Sequence, residues 1–150
     1  MEFNDYLAIK NLIHRYPQCA DKGDFEGVGQ VFGGAVCASF GQEPAFHAEG
    51  AEKWTAMYSS VVRKFPDRNA PKTRHLVGNV IIEDDGPAKA RAESYVVVFQ
   101  QTDKLPLQPI IAGTYFDRFA KIDGTWRLVE RVEDMELVGN LSEHLLRDYH

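Results

Sequence analysis

The chain has 150 residues, of which 44% are hydrophobic and 26% charged, and its formal charge at neutral pH is −5. That length is sufficient for one domain, residues 1–150, with a substantial core, and the composition is that of a soluble globular protein. The acidic balance argues against a nucleic-acid partner, which needs clustered Lys and Arg, and no apolar run is long enough to span a membrane.

"MEFNDYLAIK" has neither the basic nor the apolar region of a signal peptide. The two cysteines, Cys19 and Cys37, form neither a CxxC pair nor a framework, so the expected location is the reducing cytoplasm. Asn4 or Asp5 is placed to cap a first helix whose apolar positions Ile9, Leu12, Ile13 and Tyr16 follow helical spacing. Within "IHRYPQCADKGDF", Pro17 is expected to kink or end that helix, because it lacks an N–H and its ring clashes with the preceding turn. Asp24 is a candidate N-cap for a short second helix carrying Phe25, Val28, Val31 and Phe32, closed by Gly33-Gly34. "AVCASF" and "EPAFHAEG" read as short extended pieces, and Trp54, Met57, Tyr58, Val61, Val62 and Phe65 mark a third amphipathic helix. "PDRNAPK" reads as a loop.

The second half differs in kind. "TRHLVGNVIIE", "KARAESYVVVFQ", "IIAGTYFDRFAKI" and "TWRLVERVEDMELV" are long strands rich in Val, Ile and aromatics, and "DDGP" and Asp123-Gly124 are tight-turn signals. Helices followed by a meander of strands predict an α+β fold. The expected architecture is a cone-shaped α+β barrel, with the N-terminal helices packed on a curved antiparallel sheet that encloses a pocket.

An apolar pocket becomes a site where a few polar groups converge in it. His75 opens a strand in which His75, Val77, Asn79 and Ile81 share one face by the two-residue period. A His in such a setting is commonly a hydrogen-bonded structural residue, yet it titrates near neutrality and suits proton transfer. Asp21, in the turn after the first helix, would fix the tautomer of an adjacent imidazole and stabilise its cation. Arg131 shares its face with Val129, with Glu130 and Val132 opposite. Strand arginines usually snorkel to solvent or pair with an acid, and Tyr16 is by default a core aromatic with its hydroxyl at the edge. His14, His47, His144 and His150 share no ligand spacing, so no metal is expected. No GxGxxG or GxxxxGK[ST] occurs, and neither Ser59-Ser60 nor Cys37 lies in a nucleophile elbow.

Three stretches, "IKNLIHRYPQCADKGDFEGVGQVF", "TRHLVGNVIIE" and "AGTYFDRFAKIDGTWRLVER", resemble the SnoaL-like branch of the nuclear transport factor 2-like superfamily. Within it the chain is most similar to the group of scytalone dehydratase, bile-acid 7α-dehydratase and hexachlorocyclohexane dehydrochlorinase. The resemblance implies a His–Asp pair in the cone at His75 and Asp21, a Tyr at Tyr16 and a pocket Arg at Arg131. Two departures are visible: Pro17 replaces a small helix former, and the stretch between Asp21 and His75 is longer. A kink at Pro17 would let Tyr16 and Asp21, about 140° apart on a straight helix, address one cavity.

These readings combine into a cofactor-independent lyase of the dehydratase type, acting on a hydrophobic hydroxylated ketone, steroid or polyketide-like small molecule. His75 would be the base and Asp21 its partner, while Tyr16 and Arg131 stabilise developing negative charge. Trp54, Tyr58, Phe32, Tyr95 and Phe116 are the aromatic residues expected to contact the substrate. A proton-relay isomerase would use nearly the same parts. The rival from another class is a non-catalytic binding or assembly subunit, such as the small subunit of a ring-hydroxylating dioxygenase. A homodimer or homotrimer is expected from the broad sheet face and from the resemblance.

Overall fold

The computed structural model describes residues 1–39, 46–47 and 50–147. The flanks of the "EPAFHAEG" piece and His150 lie outside the described residues. The elements run α1 (Phe3–Lys22), α2 (Phe25–Phe32), β1 (Val36–Ser39), β2 (Phe46–His47), α3 (Ala51–Val61), β3 (Thr73–Asp84), β4 (Lys89–Gln100), β5 (Gln108–Ile122) and β6 (Thr125–Val138).

Helix α1 does not end at Pro17; it continues to Lys22. The missing N–H forfeits one intrahelical bond. However, Ile9, Ile13, Tyr16, Pro17 and Ala20 are all buried on the same core, so packing on both sides of the proline holds the helix together. The expected cap at Asn4 or Asp5 is also replaced. The N-cap is Glu2, without a side-chain bond, and Asp5 instead accepts from Lys121 Nζ and Trp126 Nε1, each at 2.8 Å. The helix stops at Gly23, whose φ of 76° favours glycine and where a Cβ would meet the carbonyl oxygen of Asn69. Asp24 caps α2 as expected, accepting from the Gly27 N–H at 2.9 Å.

Strands β3 to β6 form an antiparallel meander, and the full order is β2-β1-β6-β5-β4-β3. The sheet is mixed rather than antiparallel throughout, because β1 lies parallel to β6, with Val36 opposite Glu130. A parallel pair needs a long crossover, and the chain between β1 and β6 contains the whole rest of the sheet.

Irregularities in register shape the sheet and decide which side chains face inward. Between Gly78 and Ile81 the pairing of β3 with β4 shifts, and Asn79 takes a φ of 51°. The two-residue alternation therefore changes phase: Val80 and Ile82 pack against the core, and Ile81, expected beside His75, is 62% exposed. A second shift between Arg118 and Phe119 of β5 lies opposite Leu128 and Glu130 of β6. Trp126 and Leu128 are buried before it and Arg131 after it, so Arg131 is in phase with Leu128 rather than with Val129. Such bulges bend strands, and the helices cover the concave side, where Ile13, Val28, Phe32, Trp54, Val96, Ile110, Phe119 and Leu128 belong to the core.

Residues after β6 return across the mouth. Leu145 bridges Val62, the Leu146 N–H bonds to the Val61 carbonyl at 2.8 Å, and the Arg63 N–H bonds to the His144 carbonyl at 2.8 Å. This strap fixes the end of α3 and brings His144 to the cavity.

Candidate active site

A cavity of about 350 Å³ opens between the helices and the sheet, lined by Tyr16, Tyr58, His75, Tyr115, Glu133 and His144, with Val98, Ile111, Met135 and Leu141 among its apolar walls. The polar groups come from separate elements: α1, α3, β3, β5, β6 and the strap.

His75 and Asp21 meet here. The last turn of α1 lies against the start of β3, and Asp21 Oδ1 is 2.6 Å from His75 Nδ1. Asp21 also accepts from the His75 backbone N–H at 2.9 Å and from the Thr73 hydroxyl at 2.7 Å. Burial pushes the Asp21 carboxyl up, but the hydrogen bonds and charge of His75, with the Thr73 hydroxyl, outweigh it and leave the carboxyl below its ordinary value. A carboxylate at Nδ1 selects the tautomer with its proton there, which leaves Nε2 as the basic atom of the ring.

Tyr16 is buried and touches the ring of His75 edge-on, with centroids 5.9 Å apart. Its hydroxyl lies 3.4 Å from that of Tyr58. Burial holds Tyr16, Tyr58 and Tyr115 well above the ordinary phenol value, so all three are neutral donors. Arg131 occupies a different layer. It is 1% exposed, binds Asp117 by Nε at 2.7 Å and Nη2 at 2.8 Å, and sets its guanidinium 3.9 Å from the Tyr115 centroid and 5.2 Å from that of Tyr16. Arg131 thus backs the tyrosines from behind the cavity wall.

The expected contact aromatics divide. Tyr58 lines the cavity. Phe32 and Trp54 stack on each other in the core, with centroids 4.7 Å apart. Tyr95 and Phe116 lie on the outer side of the sheet, 51% and 40% exposed, because the inward positions beside them belong to Ser94, Val96, Tyr115 and Asp117. Glu133 and His144 are among the lining residues that sequence reasoning did not assign to the site. Glu133 was recoverable, being two positions beyond Arg131 on the same strand face. His144 lies in irregular structure, where no periodicity points to it. Burial holds His144 down at about 4, and its Nδ1 has no hydrogen-bond partner among the described residues. Among the described residues no group of three or more His, Cys, Asp or Glu is arranged to hold a metal ion, and no helix is long and apolar enough to cross a membrane.

Residues 1–132 match the family model of the SnoaL-like domain. The chain belongs to the SnoaL-like family. No curated protein matches this SnoaL-like chain in sequence. Its fold is the cystatin-like, nuclear transport factor 2-like α+β cone. A protein of unknown function with a cystatin-like fold from Nostoc punctiforme is 25% identical, with a TM-score of 0.71 over 94% of this chain and 98% of that one. Two similar structures come from Novosphingobium aromaticivorans. A scytalone dehydratase-like protein is 21% identical, with a TM-score of 0.67 over 98% of this chain and 89% of its own. The beta subunit of an aromatic-ring-hydroxylating dioxygenase-like protein is 22% identical, with a TM-score of 0.69 over 91% and 94%. These last two likenesses concern the fold alone.

Proposed function

We propose that this SnoaL-like protein is a cofactor-independent lyase that eliminates water from a hydrophobic hydroxylated ketone of steroid or polyketide type. The observation that carries the reading is the short contact between Asp21 and the Nδ1 of a histidine whose ring faces the cavity. His75 Nε2 removes an acidic C–H proton next to the substrate carbonyl. Asp21 fixes the tautomer and stabilises the imidazolium that forms. Tyr16 and Tyr58, held neutral, donate hydrogen bonds to the carbonyl oxygen as negative charge develops on it. Arg131 is a positioning residue that keeps Tyr16 and Tyr115 in place through its contact with their rings.

The test begins with a thermal-shift screen of hydroxylated ketones, steroids and aromatic polyketides, since a ligand bound only by the native state raises its stability. For a compound that is turned over, His75→Ala and Asp21→Asn should each lower kcat by orders of magnitude. The double variant should be little worse than His75→Ala, because Asp21 acts through His75. Full turnover by His75→Ala would end the lyase reading. A non-catalytic assembly subunit is the second reading, supported by the likeness to the dioxygenase beta subunit and by the exposed apolar side chains of the outer sheet face.

A further inference from the structure

Two carboxyl groups, those of Glu133 and Asp134, line the cavity, and the nearest arginine, Arg131, lies behind its wall. Asp117 and Glu133 both lie on the inner face near Arg131, but Arg131 gives Asp117 two parallel hydrogen bonds. Arg131 is thus engaged by Asp117, and Glu133 has no ion pair or hydrogen bond of its side chain among the described residues. Glu133 is half-buried in the cavity wall, and withdrawing a carboxylate from water without a contacting counter-ion disfavours its charged form.

We propose that Glu133 is the acid of this cavity, giving a proton to the departing oxygen of the substrate. The assignment rests on the lyase reading and narrows its substrate class to β-hydroxy carbonyl compounds, whose leaving group needs a proton, rather than compounds that lose a halide or carboxylate. His75 Nε2 takes the proton next to the carbonyl, and that C–H electron pair becomes the new C=C bond. The C–O bond breaks, and its oxygen takes the Glu133 proton and leaves as water. The conjugated carbonyl product, an imidazolium and a glutamate remain. Transfer of the proton from His75 to Glu133 through water restores the starting state.

The groups around Glu133 support this role. Tyr16 on α1, Cys37 on β1, Tyr58 on α3, Tyr115 and Asp117 on β5 and Arg131 on β6 all interact with it electrostatically or share its environment, as does His75 on β3. Asp134 and His144 line the same cavity. Burial raises the Glu133 carboxyl most; the charges of Arg131 and His75 oppose this, that of Asp117 adds to it, and the net direction is upward. Burial holds the three phenols well above the ordinary phenol value, so they are far weaker acids than a carboxyl group. Glu133 is therefore the better donor to a leaving hydroxyl, and the tyrosines are left for the carbonyl.

Two measurements test the proposal. Carbon-13 NMR of protein labelled at the glutamate side-chain carboxyl identifies the Glu133 signal as the one missing from Glu133→Gln. It should still be protonated at pH 7, while the surface glutamates titrate in the ordinary carboxylate range. A Glu133 signal already ionised at pH 7 overturns the proposal and leaves the lyase reading intact. The second measurement compares turnover of a β-aryl-β-hydroxy ketone with that of its acetate ester, whose leaving group needs no proton. Glu133→Gln should slow the hydroxy ketone by about 100-fold or more and the ester by no more than about threefold. Glu133→Asp should recover part of the loss. His75→Ala should slow both substrates. Equal loss on the two substrates in Glu133→Gln overturns the role of Glu133 alone, unchanged turnover in His75→Ala removes the lyase reading, and failure of the wild type on both ketones overturns both.

Discussion

Asp21 holds His75 at two points, the ring through Nδ1 at 2.6 Å and the backbone through its N–H at 2.9 Å. The same carboxylate therefore orients the imidazole and pins the start of β3 to the end of α1. Its side chain is 10% exposed and that of His75 4%, so neither bond is diluted by solvent. A substitution at Asp21 should register in stability as well as in turnover.

Asp21→Asn should cost about 1.5 to 3 kcal/mol at pH 7, the range for hydrogen bonds to a charged group. The folded carboxyl titrates below its unfolded value. Its stabilisation is therefore complete above the unfolded pKa of about 3.9 and is lost as pH falls through the lower, folded value. Urea midpoints of wild type and variant, measured from pH 7 downward, should converge at the acid end. A gap that stays constant to pH 3 would contradict the assignment.

Arg131→Met should be principally a stability defect. Removing one partner of a buried ion pair costs about 3 to 5 kcal/mol because the other charge is left uncompensated, whereas replacing both partners by apolar residues is often neutral. Thermal denaturation should show a large loss for Arg131→Met and substantial recovery in the double variant with Asp117→Leu. Additive losses in the double variant would mean that the two residues are not a unit.

His144 and Glu133 should give pH dependences of opposite sign. Burial holds folded His144 at about 4 against 6.5, so the unfolded chain binds a proton across that window that the folded chain refuses. Stability then falls with pH below 6.5, by up to about 3 kcal/mol, and His144→Leu should flatten this slope. For Glu133 the folded carboxyl is raised, so stability is full below the unfolded value and is lost as pH rises toward the folded one. Glu133→Gln should raise Tm by a few degrees at pH 8 and by nothing near pH 4, an instance of function set against stability. Parallel pH profiles for the two variants would contradict both assignments.

The outer face of the sheet should mediate self-association. Leu76, Ile81, Tyr95 and Phe116 are 61%, 62%, 51% and 40% exposed there, and Glu83, Arg91, Glu93 and Arg118 supply both signs of charge around them. A surface that carries both signs can complement a second copy of itself. Light scattering should show a dimer or trimer at micromolar concentration, and Ile81→Glu combined with Phe116→Glu should yield monomers. A wild-type monomer would refute the expectation.

Element types were readable because periodicity is a local signal: the core side of α1, the Asp24 cap and the four long strands follow from patterns within each segment. What sequence reasoning missed depends on relations between segments. Pro17 remains helical because packing on the core outweighs its local cost. The inward phase of Ile82 and Arg131 follows from register shifts against neighbouring strands, and a single strand carries no trace of its partner's register. The parallel pairing of β1 with β6 is equally invisible before the chain is closed. At the site, His75, Asp21 and Tyr16 converge, whereas Tyr95 and Phe116 face away; an aromatic in a strand has equal claim to either side until its phase is fixed.

The cavity draws Tyr16 from α1 and Glu133 and His144 from β6 and the strap, and β1 joins the four long strands only through β6. Contacts of such long sequence separation slow folding, because loop closure precedes the interactions that reward it. During synthesis α1 and α2 emerge with their apolar faces uncovered, and the strands appear one hairpin at a time. The enclosed cavity is therefore the last feature the growing polypeptide acquires. Any product that terminates between His75 and Glu133 contains the His75–Asp21 pair in sequence yet lacks the strand that completes the cavity around it.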